Sequence, residues 1–217
     1  MPVQNEAPRI AGALAALAPL RGPGVELIVV DGGSVDGTAA LCAGAVDVWL
    51  AGTRGRARQM NAGARAARGE VLLFLHADTT LPAQAVALVA GALTSHAWGR
   101  FDVRIDGRSP VLPVVAALMN LRSRLSGIAT GDQALFMRRA AFDAVGGFPD
   151  QALMEDIEIS KRLRRRLGRP ACLRARVVTS GRRWDERGAW STIVLMWRLR
   201  LCYWLGVSAE RLAAAYR

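Results

Sequence analysis

Val71-Leu72-Leu73-Phe74-Leu75-His76-Ala77-Asp78 sets five consecutive apolar side chains directly before a histidine and a carboxylate. An apolar run that short predicts a strand covered on both faces rather than a helix. The carboxylate at its end is poorly explained as a solvated surface group, because a strand of that composition is expected to be central in its sheet. Glu26-Leu27-Ile28-Val29-Val30 repeats the arrangement and stops at Asp31. Ligands of open parallel sheets bind beyond the carboxyl ends of the strands, so Asp31 and Asp78 are expected at one shared polar site.

Helix-like segments alternate with these strands. Ala7 to Leu20 and Thr38 to Ala43 have helical composition, Val46 to Leu50 is a short strand, and Gly55 to Ala67 is an arginine-rich loop and helix. Leu81-Pro82 opens another helix. Alternation of this kind predicts an α/β fold, with a mostly parallel central sheet flanked by helices. Further on, Phe101 to Ile105 alternates as a half-exposed strand would and Ala134 to Met137 looks like another strand. Glu155 to Leu167 has helical spacing, with Ile157, Ile159, Leu163 and Leu167 for its buried face.

A chain of 217 residues with 52% hydrophobic content is enough for one self-sufficient core. A single domain over 1–217 is therefore expected, with 185–217 as an amphipathic helical extension. Cys42, Cys172 and Cys202 are odd in number and far apart, which suggests neither a disulfide framework nor a zinc knuckle. The net charge of +11 is concentrated late, where Arg162 to Arg187 holds many arginines against only Asp185 and Glu186. That field favours anionic partners: a nucleoside diphosphate, an acidic membrane surface or nucleic acid.

Met1 leads directly into Pro2-Val3-Gln4-Asn5-Glu6 with no basic leader and apolar run, so a cytoplasmic protein is expected. Trp190 to Val207 is apolar but interrupted by Arg198 and Arg200, which fits an amphipathic helix on the core or at a membrane interface. Packing on the domain is the preferred expectation, and peripheral contact with the inner face of the membrane is compatible with it.

Four constellations carry chemistry. Asp31-Gly32-Gly33-Ser34-Val35-Asp36-Gly37-Thr38 places two carboxylates around a glycine turn that enters a helix; it suits a close ligand, or a turn in which Asp36 caps the helix. Asp78 is the natural ligand for Mg²⁺ or Mn²⁺, while His76 is a second ligand, a donor to phosphate, or a packed strand-end histidine. Glu155, Asp156 and Glu158 open a helix whose later turns hold Lys161, Arg162, Arg164 and Arg165. That order suits the helix dipole, and it also offers a carboxylate placed to take a proton. Arg54, Arg56, Arg58, Gln59 and Asn61 could fork onto phosphates. Nucleic acid is not expected, because interleaved aromatics are missing from the basic segments.

Taken together, these segments resemble the family 2 glycosyltransferases, which have the GT-A fold and usually invert the anomeric centre. Pro2-Val3-Gln4-Asn5-Glu6 is similar to the family's opening Pro-x-x-Asn-Glu, Val29 to Thr38 to its nucleotide-binding Asp segment, and His76-Ala77-Asp78 to its Asp-x-Asp motif. Gly146-Gly147-Phe148 followed by Glu155-Asp156 resembles its acceptor-side motifs. The resemblance implies a nucleotide-diphosphate sugar donor, a divalent metal (Mn²⁺ or Mg²⁺) and a small-molecule or lipid acceptor.

It also implies roles. Asn5, Glu6, Asp31 and Asp36 would line the nucleoside pocket, Arg58 and Asn61 would assist the donor, Asp78 would bind the metal, with His76 beside it, and Asp156 in the Glu155-Asp156 pair would be the base. Ser180-Gly181-Arg182-Arg183-Trp184 keeps Arg183 and Trp184 of the family's Gln-x-x-Arg-Trp and lacks its Gln. Two more departures are His76 in place of the first metal-motif Asp, and an initial strand that is not there before Pro2. The His-Ala-Asp-Thr, Met-Glu-Asp-Ile-Glu and Gly-Arg-Arg-Trp segments further resemble short bacterial members associated with arsenosugar biosynthesis or radical enzymes. The competing expectations are a metal-dependent nucleotidyltransferase, for which Asn5-Glu6-Ala7-Pro8 makes a poor phosphate loop, and a basic membrane- or nucleic-acid-binding module.

Overall fold

Two sheets carry the chain in the computed structural model, which describes residues 1–52 and 54–216. The first half runs β1 (Pro2–Val3), α1 (Ala7–Leu17), β2 (Ile28–Asp31), α2 (Thr38–Cys42), β3 (Val48–Ala51) and α3 (Arg56–Ala66). It continues through β4 (Val71–Leu73), β5 (Thr79–Thr80), α4 (Ala85–Ala92), β6 (Trp98–Asp106) and α5 (Leu112–Ser126). The remainder is β7 (Phe136–Arg138), α6 (Arg139–Ala144), α7 (Glu155–Leu167), β8 (Ala171–Ser180), α8 (Arg182–Arg187), α9 (Ala189–Trp204) and α10 (Ala209–Tyr216). Arg217, the last residue of the expected extension, lies outside the described residues.

The first sheet has the order β1-β2-β3 and is parallel throughout. Its middle strand is β2, whose four residues are all buried, as the β-branched run Ile28-Val29-Val30 requires. The second sheet has the order β4-β7-β6-β8-β5. There β6 and β8 are parallel and the other pairings antiparallel.

One expectation changes here. The strand leading to Asp78 is not central: β4 ends its sheet, pairs only with β7 and is three residues long, with Val71 41% exposed. Its cover comes from side chains instead, because Leu72 and Phe74 pack with Met60 and Ala64 of α3 and with Phe142 and Phe148. Phe148 meets Phe74 edge-on at 4.8 Å between ring centres.

β6 is also more buried than its alternation suggests. Arg100 is fully buried and Asp102 nearly so, because Asp102 accepts from both Arg100 and Arg124. A carboxylate shared by two guanidinium groups lets charge sit inside the sheet.

α7 matches its expected span. Glu155, Asp156 and Glu158 lie at the positive end of the helix dipole and Arg164, Arg165 and Arg166 at the negative end, and Gly168 at φ +85° ends it. Its buried residues Ile159 and Leu163 join the core beneath α3 and β4. Each such burial contributes roughly 1.5–3 kcal/mol.

The expected C-terminal extension resolves into three helices, the first starting at Arg182. α9 packs on the start of α7, where Leu199, Leu195 and Met196 cluster with Met154, Ile157 and Leu212. Its opposite face exposes Trp190, Val194, Trp197, Leu201 and Trp204, so α9 is apolar on both sides rather than amphipathic. No helix among the described residues is long and apolar enough to cross a membrane.

Candidate active site

A cleft of about 820 Å³ opens between the two sheets and the C-terminal helices. His76 and Asp78 from the segment between β4 and β5, Thr130 to Asp132, Glu155 and Asp156 from the first turn of α7, and Arg183, Trp184 and Arg200 all line it. Residues as far apart in sequence as Glu6 and Tyr216 thus share one cleft.

Asp78 is exposed in the cleft; its carboxylate accepts from the Thr79 hydroxyl at 3.2 Å, and its backbone carbonyl accepts the Ser180 N–H at 3.1 Å. Across from it, Glu6 also lines the cleft. Burial, and then the Asp78 charge working against Arg9, raise the Glu6 carboxyl above its usual range. One Glu6 oxygen is buried without a hydrogen bond, though Arg9 stands 3.6 Å away. His76 is turned to a different carboxylate: its Nδ1 lies 3.7 Å from Asp132 Oδ1.

The other residues expected around the nucleoside sit behind the cleft wall. Both oxygens of Asp31 accept from Ser34, and Asn5, at φ +53°, accepts from the Val35 N–H and donates its own N–H to Ser34. Asp36 takes the Ala7 N–H at 3.0 Å and the Thr38 N–H at 3.1 Å, so it ties together the first residues of α1 and α2, whose N-cap positions are Glu6 and Gly37. The Thr38 hydroxyl and these backbone donors hold the Asp36 carboxyl below its ordinary value. These three residues tie the β1 and β2 loops into one wall, while Glu6 alone of the four faces the cleft.

Asn61 departs further from expectation. Its Nδ2 donates to the Phe148 carbonyl at 2.8 Å and its Oδ1 accepts the Phe148 N–H at 2.9 Å. Both ends of the amide are consumed by one backbone residue, so Asn61 holds the Gly146-Gly147-Phe148 loop against α3 rather than a ligand. Arg58 lines the cleft and pairs with Asp150 at 2.7 Å.

Asp156 is fixed by backbone. Its Oδ1 accepts the Ile157 N–H at 2.7 Å and its Oδ2 the Gly131 N–H at 2.8 Å. Glu155 beside it is buried, and its carboxyl is raised first by burial and then by the Asp156 charge, with Arg56 opposing from 3.8 Å. Met154, which precedes them, holds φ +65°, a conformation costly for a side chain of its kind. Ala134 at φ +47° follows the Thr130–Gln133 turn, so positive-φ backbone precedes α7 and follows this turn alike.

Gly131 and Asp132 went unmarked in the sequence. A Cβ on Gly131 would stand 2.4 Å from His76 Cε1, so only glycine lets the imidazole lie on this turn while the backbone N–H reaches Asp156. Burial pushes the Asp132 carboxyl up, but the His76 ring 3.7 Å away, helped by Arg56 and Arg200, holds it below its ordinary range. Gly-Asp-Gln ahead of a strand is the signal that could have marked the turn. Arg200 and Tyr216 also reach the cleft, where Arg183 stacks 3.9 Å over the Tyr216 ring.

The donor chemistry fits a divalent ion on Asp78. The carboxylate is exposed and nearly unengaged, and Mg²⁺ or Mn²⁺ commonly takes one or two protein carboxylates and completes its shell with substrate phosphate and water. Among the described residues no group of three or more His, Cys, Asp or Glu side chains gathers as a metal site.

The family model described as glycosyl transferase family 2 matches residues 1–145. Among solved structures, S. aureus TarS 1–349 has 20% identity and a TM-score of 0.64, over 83% of this chain and 59% of that one. A mannosyltransferase from Pyrobaculum calidifontis, in complex with GDP-Man and Mn²⁺, has 22% identity and a TM-score of 0.66, over 93% and 59%. Glucosyl-3-phosphoglycerate synthase from Mycobacterium tuberculosis, with Mn²⁺ and UDP-glucose, has 22% identity and a TM-score of 0.60, over 82% and 67%. The chain therefore spans 59% of the length of the first two. At these identities the likeness is one of fold. No curated protein matches the chain.

Proposed function

Because this chain belongs to glycosyl transferase family 2 and has the GT-A fold, we propose that it moves a sugar from a nucleoside-diphosphate donor to an acceptor hydroxyl with inversion at the anomeric carbon. The observation that carries this is the placement of Asp78 and Asp156 in one cleft, the first nearly free for an ion and the second held by two backbone donors. Glu6, Arg58, Arg183 and Trp184 face the donor, with Asn5, Asp31 and Asp36 bracing the wall behind them. Asp78 holds the divalent ion, which when bound neutralises charge growing on the departing diphosphate. His76, already turned to Asp132, shapes the same side of the cleft.

On the acceptor side, the Ile157 and Gly131 N–H groups aim the Asp156 carboxylate and leave lone pairs for the acceptor O–H. Asp156 takes that proton as the hydroxyl oxygen bonds to the anomeric carbon, and the bond from that carbon to the diphosphate oxygen breaks on the opposite face. Glu155 supports the step from its buried position beside Asp156. The whole chain works as one unit in this account, because Arg200 and Tyr216 of the C-terminal helices line the same cleft.

Titration with UDP and GDP in the presence of Mn²⁺ tests the donor half. Binding is expected in the native chain and to fall at least about tenfold in Asp78→Asn, while Asp156→Asn keeps binding and loses about 10²–10⁴-fold in turnover. Absence of binding to any nucleoside diphosphate, or native turnover in Asp156→Asn, overturns the proposal. A hydrolysis screen over common nucleotide sugars identifies the donor, and pyrophosphate release from a nucleoside triphosphate would favour nucleotidyl transfer instead.

The same proposal includes peripheral contact with an acidic membrane face. The Trp190, Val194, Trp197, Leu201 and Trp204 stripe is exposed, no acidic residue occurs between Gly188 and Ala209, and the chain carries +11. Tryptophan and arginine on an apolar helix suit the lipid headgroup zone. Co-sedimentation with phosphatidylglycerol vesicles, lost in a Trp190→Ser/Trp197→Ser variant, is the expected result; no sedimentation of the native chain refutes it.

A further inference from the structure

A second hollow, of about 790 Å³, opens where the end of α6 meets α7, and it shares no lining residue with the catalytic cleft. Ala144 and Val145 give its apolar part, and Glu158, Lys161, Arg162, Arg165 and Arg166 of α7 give its charge. Four cations thus stand against one acid, and that acid is already engaged, with Arg162 Nε 3.1 Å from Glu158 Oε1. Among the described residues Arg165 and Arg166 make neither a hydrogen bond nor an ion pair. The sequence holds no acidic residue between Glu158 and Asp185. The helix dipole accounts for cations in the last turn of α7, but its influence falls off within that turn and does not reach Lys161 or Arg162. Lys161 with Arg165, and Arg162 with Arg166, are like charges four residues apart on a helix, a spacing at which they repel.

The hollow adjoins the apolar C-terminal helices. Lys161 Nζ lies 4.9 Å from the centre of the Tyr203 ring of α9, and the next two residues, Trp204 and Leu205, are 78% and 65% exposed. Cations beside exposed tryptophan and leucine suit the lipid headgroup zone, where the apolar side chains enter the acyl boundary and the cations meet phosphate. Nucleic acid is a poorer match, because the lining of the hollow holds no aromatic ring on which a base could stack. We infer that the hollow between α6 and α7 binds the phosphate of an anionic lipid headgroup when α9 lies on a membrane. This rests on the peripheral membrane contact proposed above for α9. Lys161 to Arg166 lie about 8–15 Å along α7 from Asp156, so docking there keeps the base end of the cleft close to the lipid surface.

Co-sedimentation of the full chain with phosphatidylglycerol vesicles and with phosphatidylcholine vesicles tests the site. Each cation near an acidic membrane surface is worth about fivefold in affinity, so Lys161→Gln/Arg165→Gln/Arg166→Gln is expected to bind phosphatidylglycerol vesicles about 10²-fold more weakly than the native chain. Its weaker binding to phosphatidylcholine, its Tm and its binding of UDP or GDP with Mn²⁺ are expected to stay native. Arg165→Gln alone is expected to lose about fivefold. Arg65→Gln/Arg174→Gln/Arg176→Gln removes the same charge from exposed positions outside the hollow and is expected to lose less than about tenfold, because distant charges are screened by salt. Equal losses in the two triple variants, or none in the hollow variant, overturn the inference and leave the contact through α9 standing. No sedimentation of the native chain overturns that contact and the inference with it. Binding of single-stranded RNA that is lost in the hollow variant, while its vesicle binding stays native, gives the hollow to nucleic acid and also overturns the inference.

Discussion

Gly131→Ala tests how the two halves of the cleft are joined. The added methyl would stand 2.4 Å from His76 Cε1 and 2.7 Å from Nε2. Carbon atoms pack at about 3.5 Å, so the ring or the turn must yield by roughly 1 Å. His76 has little room to do so, because its side chain is 12% exposed and faces Asp132 at 3.7 Å. If the turn yields instead, the 2.8 Å bond from Gly131 to Asp156 is lost or bent. Overpacking of this kind costs about 1–3 kcal/mol. For a chain of this size that is a fall in Tm of about 2–12 °C. A shift of about 1 Å at a base costs on the order of 10²-fold in turnover. Differential scanning calorimetry and a donor-hydrolysis assay read the two effects. Gly12→Ala, with nothing within 4 Å of its added carbon, is the control and should be neutral or slightly stabilising. His76→Ala in the Gly131→Ala background should recover much of the lost Tm. Native Tm and native turnover in Gly131→Ala would refute the argument that this contact organises the cleft.

Asn61→Ala leaves the Phe148 N–H and carbonyl unpaired and is expected to cost about 2–5 kcal/mol in urea unfolding. Nucleoside-diphosphate affinity of the folded fraction should stay native, and the reverse pattern would restore a donor role to this amide. Glu155 has a folded-state pKa raised above its unfolded value, so ionising it weakens the fold; stability is full below the unfolded value near 4.5 and declines as pH rises through the folded one. Glu155→Gln should therefore raise Tm at pH 8 and leave it unchanged at pH 4, and an unaltered Tm at pH 8 counts against this. Asp102→Asn strips the shared anion from buried Arg100 and half-buried Arg124, with an expected loss of about 3–5 kcal/mol in chemical denaturation. A loss below about 1 kcal/mol would show that the pair is solvated by other means.

The sequence by itself determined what depends on neighbours along the chain. Glu155 to Leu167 is a helix because its acids, apolar spacing and terminal arginines and glycine all act within a few turns, and β2 is buried because three β-branched residues in a row favour a pleated, covered strand. The positions of Asp78 and Asp156 at element ends were legible for the same reason. Only the tertiary structure decided which partners those elements meet. A run of five apolar residues reports burial but not whether a strand or an aromatic cluster does the covering, so the edge position of β4 was hidden. An amide looks free to bind phosphate until Phe148 arrives from 87 residues away. Gly131 reads as a turn until His76 lies on it. Charge and hydrogen-bond capacity are properties of single residues, but whether they are satisfied depends on contacts that the chain makes only when folded.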